Sequence, residues 1–120
     1  MKKLLIVDDQ VGIRMLLKEV FKLEGYDIIL ASNGNEALLH MASSMPDCVL
    51  MDMKMPGLNG NEVLRNIKDT NPEIPVVMMT AYDEIEIGNH ETTHRADYYF
   101  TKPFDIHEVR STINQLLKET

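Results

Sequence analysis

Basic charge is scarce in this chain. Lys and Arg number 12 against 19 Asp and Glu, so the 120 residues carry a formal net charge of −7. Nucleic-acid partners need a basic face to meet their phosphates, so nucleic acid is not an expected partner. Cysteine is nearly absent. Cys48 stands alone, which excludes an internal disulfide and, without a secretion signal, fits a reducing cytoplasm. Long apolar runs are missing as well. None approaches the roughly 18 residues that would cross a membrane. The opening Met1-Lys2-Lys3-Leu4-Leu5-Ile6-Val7 starts like a signal peptide, but its apolar run stops after four residues at Asp8. There is no linker, internal repeat or low-complexity segment. The expectation is one domain over residues 1–120, with no room for a separate output or DNA-binding domain.

What is present suits a globular core. Hydrophobic residues make up 44% and charged residues 26%, and a chain of this size buries about two-thirds of its unfolded surface. Leu4–Val7, Cys48–Met51 and Val76–Met79 are short, wholly apolar runs. Such runs suit strands covered on both faces, as in a parallel sheet. Asp27–Ala31 and Tyr98–Thr101 are weaker strand candidates. Helical spacing lies between them. Ile13, Leu16, Leu17, Val20 and Phe21 form one apolar stripe, read as core, and Gly25 ends that helix. Ala37, Leu38 and Met41 mark a second helix, and Val63, Leu64 and Ile67 a third. Ile106, Val109, Ile113, Leu116 and Leu117 mark the last, which starts at Asp105 with Glu108 three residues on. Residues 83–95 should be helical by the alternation. They lack an apolar stripe, however, so a short or loosely packed element is expected. Five strand–helix units imply an α/β fold with a doubly wound, five-stranded parallel sheet.

In such sheets function gathers beyond the carboxyl ends of the strands. The first strand ends in Asp8-Asp9, the third in Asp52, the fourth in Thr80-Ala81 and the fifth in Lys102-Pro103. Three carboxylates crowded together need a proton or a cation among them. Oxygen-only ligands suit Mg²⁺ or Ca²⁺ rather than zinc, and few protein ligands completed by water favour Mg²⁺. A carboxylate beside Mg²⁺, a lysine and a hydroxyl suits phosphoryl transfer. The carboxylate attacks phosphorus, while metal, lysine and hydroxyl stabilise the transferring oxygens. Each piece alone is commonplace: an Asp-Asp pair usually sits in a solvated turn. Their succession at strand ends is what points to chemistry.

Ile6-Val7-Asp8-Asp9, Asp52-Met53-Lys54-Met55-Pro56-Gly57-Leu58-Asn59-Gly60, Met79-Thr80-Ala81-Tyr82 and Thr101-Lys102-Pro103-Phe104 together resemble the receiver domains of two-component response regulators, over nearly the whole chain. The resemblance implies the (βα)5, flavodoxin-like fold. It implies that Asp52 accepts a phosphoryl group from a phosphohistidine. Asp9, Asp52 and the backbone carbonyl of Lys54 would hold Mg²⁺, with Mn²⁺ as a substitute, and Asp8 would assist. Thr80 would bind the phosphoryl group and reposition, Lys102 would pair with it, and Lys102-Pro103 would be cis. Tyr99 occupies the family's switch position, and its alternative role is that of a half-buried strand tyrosine. Arg95-Ala96-Asp97 departs from the usual Gly-Ala-Asp, which puts the geometry of 83–95 in doubt.

Within the family the residues are most similar to stand-alone receivers of sporulation phosphorelays. Gln10, Gly12-Ile13-Arg14, Glu19-Val20-Phe21, Glu24-Gly25-Tyr26 and Phe104-Asp105-Ile106 carry that similarity. It implies sensor histidine kinases as donors, a helical-bundle histidine phosphotransferase as acceptor and an aspartyl-phosphate phosphatase as a further partner. The alternative is a chemotaxis-type receiver that signals by binding alone. Val11 and Met15 fall opposite the core stripe of the first helix, where they either dock a partner helix or cover a neighbouring side chain. The expected partner surface comprises Gln10, Val11, Gly12, Ile13, Arg14, Met15 and Leu16, with Lys54, Tyr82, Pro103 and Phe104 around the rim. Arg14 is equally readable as a solvated charge. The lysine at position 54 lies near the expected attack path of water and is expected to slow loss of phosphate. An aspartyl-phosphate hydrolase is excluded by size and by Lys54, where that class has a second acid. His40, His90, His94 and His107 form no compact metal site; only His90 and His94 share a helical spacing.

Overall fold

The computed structural model describes residues 1–80 and 96–118. Ala81, Tyr82, the segment 83–95 and both His90 and His94 lie outside the described residues. The elements run β1 (Lys3–Val7), α1 (Val11–Leu23), β2 (Asp27–Ala31), α2 (Gly34–Ser44), β3 (Cys48–Asp52), α3 (Gly60–Thr70), β4 (Val76–Thr80), β5 (Tyr98–Thr101) and α4 (Ile106–Lys118). The strands form one sheet in the order β2-β1-β3-β4-β5, and every neighbouring pair is parallel. This is the doubly wound parallel α/β fold that the apolar runs imply, in the flavodoxin-like strand order that the family resemblance implies.

Alternation along the central strands builds two cores, one per face. Leu5, Val7, Val49, Met51, Val76 and Met78 face α2 and α3, where Ala37, Met41, Val63, Leu64 and Ile67 meet them. Leu4, Ile6, Cys48, Leu50, Val77 and Met79 face α1 and α4, against Leu17, Phe21, Val109, Ile113 and Leu117. The sheet's centre is wholly apolar on both faces, so polar groups can collect only at its ends.

Local signals fix where each helix begins and ends. Asn33 caps α2 by accepting from the Glu36 backbone N–H at 2.9 Å, and Asn59 caps α3 through Glu62 at 3.0 Å. At α4 the Asp105 carboxylate accepts from the His107 backbone N–H at 2.8 Å. Gly25, just past α1, has φ +91°, the left-handed conformation that stops the helix.

One part of the sequence-based core needs correction. Leu16 is 47% exposed, whereas Leu17 and Phe21 are fully buried. The stripe that meets the sheet is narrower than the spacing rule allows. It runs through Leu17 and Phe21 with Ile13 and Val20 half-buried beside them, and Leu16 lies past its edge. No helix among the described residues is long and apolar enough to cross a membrane.

Candidate functional site at the carboxyl rim

Strand register assembles the site before any side chain is considered. Val7 pairs with Met51, Asp52 with Met79 and Thr80 with Thr101. The ladders continue one residue beyond the strands, through Asp8 N to Ala31 O at 3.1 Å, Met53 N to Met79 O at 2.9 Å and Lys102 N to Thr80 O at 2.8 Å. Asp8, Asp52, Thr80 and Lys102 are thereby delivered to one rim. Parallel pairing makes this automatic, because all carboxyl ends lie on the same side.

The side chains then converge. The Lys102 ammonium donates to Asp8 Oδ2 at 3.2 Å and lies 3.3 Å from Asp52 Oδ2. Asp8 is fully buried, and its other oxygen accepts from the Gln10 backbone N–H at 2.9 Å. Asp52 is nearly buried, and its Oδ1 accepts from the Lys54 N–H at 3.4 Å. Asp9 is exposed, yet one oxygen from each of Asp8, Asp9 and Asp52 lies within 4.8 Å of the others. The Lys102–Pro103 peptide is cis.

Protonation follows this crowding. Burial raises the Asp52 pKa above the ordinary carboxylate range; Lys102 offsets part of the rise and Asp8 adds to it. Burial also pulls on Lys102, but Asp52 and Asp8 outweigh it and hold the ammonium charged. Three carboxylates around one lysine leave an excess of negative charge. An oxygen-only donor set of this kind, open at Asp9, fits a hard divalent cation such as Mg²⁺.

The remaining expected residues divide clearly. Thr80 is buried, and its hydroxyl donates to the Met53 thioether at 3.3 Å. Tyr99 is half-buried, and its hydroxyl accepts from the Ala96 N–H at 3.3 Å. Gln10, Val11, Gly12, Met15, Leu16, Lys54 and Pro103 are exposed, while Ile13, Arg14 and Phe104 are half-buried. Val11 at 61% and Met15 at 41% place an apolar patch on α1 beside the acidic turn. Arg14 is not merely a solvated charge: its guanidinium donates to the Asp8 carbonyl at 2.6 Å and ties α1 to the acidic turn. Cys48 is buried in β3, which pushes its thiol up to about 12.

Two contributions escaped the sequence reading. Met53 accepts a hydrogen bond inside the site, and its position directly after Asp52 was the available signal. Gly60 was the other. A Cβ there would lie 2.6 Å from the Met53 Cα, so only glycine lets α3 begin this close behind Asp52.

These features define a class. The profile of the family described as "Response regulator receiver domain" matches residues 4–114, and the chain belongs to that family. Among curated relatives it is 46% identical over 116 residues to sporulation initiation phosphotransferase F of Bacillus subtilis (strain 168), covering 97% of this chain and 94% of that protein. It is 36% identical to the response regulator MprA of Mycolicibacterium vanbaalenii, where 98% of this chain spans 51% of the longer protein. Among solved structures, TrrA of Thermotoga maritima in complex with Mg(2+)-BeF superposes with a TM-score of 0.87 at 38% identity, covering 98% of this chain and 100% of that one. A receiver domain protein from Clostridium thermocellum gives a TM-score of 0.89 at 27% identity, with 99% and 96% covered.

Proposed function

We propose that this protein is a phosphorelay intermediate that takes a phosphoryl group onto Asp52 from a sensor kinase phosphohistidine and passes it to a histidine phosphotransferase. The observation that carries the reading is the rim constellation: Asp52 and Asp8 sharing Lys102, with Asp9 beside them. An Asp52 carboxylate oxygen attacks phosphorus, the phosphorus–nitrogen bond breaks, and the imidazole leaves with the electron pair. Asp8 holds Lys102 where its ammonium meets the transferring oxygens. The Thr80 hydroxyl donates to a phosphoryl oxygen once Asp52 is loaded. Asp9, Asp52 and the Lys54 carbonyl would hold Mg²⁺, with Asp8 assisting, and the ion would supply neutralising charge for the transferred phosphate. Onward transfer runs the same bond changes in reverse.

Overall likeness to sporulation initiation phosphotransferase F supports the relay role over a receiver that signals by binding alone. So does the apolar patch of Val11, Met15 and Leu16 next to the acidic turn, which suits a helical bundle that presents its histidine to Asp52. Gln10, Gly12, Ile13, Arg14, Lys54, Pro103 and Phe104 complete that surface. An aspartyl-phosphate phosphatase would approach by the same rim. Tyr99 reports the state of the site at the surface. Buried, unpaired Cys48 fits a reducing cytoplasm. The exposed Lys54 side chain slows attack by water, so Lys54→Asn should speed hydrolysis, and an unchanged or slower rate counts against that role.

The direct test loads the protein with labelled phosphate in Mg²⁺, removes the donor and adds a helical-bundle histidine phosphotransferase. Rapid, acid-labile label on the partner's histidine is the expected result. Label that stays here, or leaves only as free phosphate, would make this a terminal receiver.

A further inference from the structure

Arg14 lies one turn into α1, whose N-cap is Gln10. A cation near that end faces the positive pole of the helix dipole and works against it. α1 also has no acidic residue in its first turn and no side-chain cap, whereas α2 and α3 each have both. The start of α1 therefore carries residues that serve something besides the helix. The geometry points to Arg14 as a positioning residue, on the reading that Asp9 and Asp52 hold a divalent cation: through the Asp8 carbonyl, its guanidinium fixes the turn that presents Asp9 to the ion.

The hold runs from a side chain to the backbone. One guanidinium nitrogen donates to the Asp8 carbonyl oxygen at 2.6 Å, a short contact of the stronger, charge-assisted kind. That carbonyl belongs to the peptide joining Asp8 to Asp9. The next peptide, joining Asp9 to Gln10, is held by its N–H, which donates to Asp8 Oδ1 at 2.9 Å. The Arg14 N–H in turn donates to Gln10 O at 3.1 Å. Asp9 thus sits in a closed ring, fastened on both sides, while its own side chain is exposed. The Asp8 N–H to Ala31 O at 3.1 Å, and Lys102 on the Asp8 carboxylate, do not depend on Arg14. Removing Arg14 should loosen the Asp8–Asp9 peptide without undoing the fold.

Two effects oppose each other at the cation. The charge of Arg14 repels it, and the fixed turn favours it, because a ligand already in place need not be gathered. The Glu36 carboxylate offsets the charge. Bonds from the Ser32 N–H and hydroxyl, at 2.8 and 3.0 Å, hold Glu36 below the ordinary carboxylate range, and the charges of His40 and Arg14 add to that lowering. Positioning therefore prevails over repulsion.

The test is Mn²⁺ binding to the full chain, read by water-proton relaxation. Arg14→Met keeps the stem and removes donor and charge. It should bind Mn²⁺ about three- to tenfold more weakly, less than the roughly 10–100-fold typical of partners bonded directly to a ligand side chain. In chelator the Gln10 amide should exchange faster with solvent, while the Leu50 amide in β3 keeps its wild-type rate. In uptake from acetyl phosphate the half-saturating Mg²⁺ concentration should rise, and saturating Mg²⁺ should restore the wild-type rate. Unchanged or tighter Mn²⁺ binding overturns the proposal, the latter making repulsion the stronger effect. So does weaker binding with an unchanged Gln10 amide, a Leu50 amide that speeds up in step, or a rate that saturating Mg²⁺ leaves low. Asp9→Asn separates the two readings. If that variant binds Mn²⁺ like wild type, the metal-site reading fails, while the Gln10 amide still reports the hold of Arg14 on the turn. If it loses Mn²⁺ and Arg14→Met does not, only the role of Arg14 falls.

Discussion

Two lysine–aspartate contacts sit at opposite ends of the sheet and differ in how their charges balance. At the amino end, Lys68 in the last turn of α3 lies 3.0 Å from Asp97 Oδ2. The ammonium also donates to Ile74 O at 2.8 Å and Pro72 O at 3.5 Å, and the same carboxylate oxygen accepts from the Val76 N–H at 2.8 Å. One positive charge meets one negative charge, and the surrounding donors and acceptors are backbone. At the carboxyl end, Lys102 is divided between Asp8 and Asp52, with Asp9 close by. The balanced pair ties α3, the start of β4 and the approach to β5 together, and asks for nothing more. The unbalanced cluster keeps a buried carboxylate whose charged form is disfavoured. A cation would relieve that tension, and under the proposed function Asp52 would use it as a nucleophile.

The largest expected effect separates the two ends. Lys102→Met leaves fully buried Asp8 without its cation and should cost about 3 kcal/mol in urea unfolding without Mg²⁺. Adding Mg²⁺ should recover part of that loss, because a divalent ion supplies the missing positive charge. Lys68→Met should cost less, about 1–2 kcal/mol, since Asp97 is partly exposed and keeps its Val76 bond. Its loss should be indifferent to Mg²⁺. Equal recovery at both ends would erase the distinction.

Titration sharpens it further. Asp52 has a raised pKa, so the folded protein holds that proton more tightly than the unfolded chain. Stability therefore falls as pH rises from the ordinary carboxylate range through the folded value. Asp52→Asn should raise the melting temperature at neutral pH in chelator, and the gain should shrink as pH falls below that range. A gain that is flat with pH would assign the effect to packing.

The smallest effect concerns a rim position outside the charge cluster. A Cβ on Gly12 meets nothing within 4 Å. Gly12→Ala should therefore stabilise by about 0.5–1 kcal/mol through helix propensity alone. The Mg²⁺ dependence of chemical denaturation should be unchanged in that variant.

Much of this arrangement is legible in the residues. Apolar runs at Leu4–Val7, Cys48–Met51 and Val76–Met79 mark central strands because only doubly covered strands are apolar at every position. Parallel pairing then forces Asp8, Asp52, Thr80 and Lys102 to one rim. Contacts that depend on side-chain reach are not legible in the same way. Periodicity assigns Leu16 to the core, yet the helix's actual rotation on the sheet leaves it exposed. Arg14 reads equally as an interface residue and as a solvated charge, because nothing in its spacing reveals that its guanidinium finds the Asp8 carbonyl. The Lys68–Asp97 pair joins residues 29 apart in sequence, a separation at which no local rule operates.

Under the proposed function, the unbalanced cluster makes Asp52 a phosphoryl acceptor. The most direct measurement is uptake of labelled phosphate from acetyl phosphate by the wild-type protein and Asp52→Ala, each with Mg²⁺ and with chelator. Uptake is expected only by the wild type with Mg²⁺, with one acid-stable, base-labile acyl phosphate at Asp52. Label on Asp52→Ala at the wild-type level, or uptake unaffected by chelator, would contradict it.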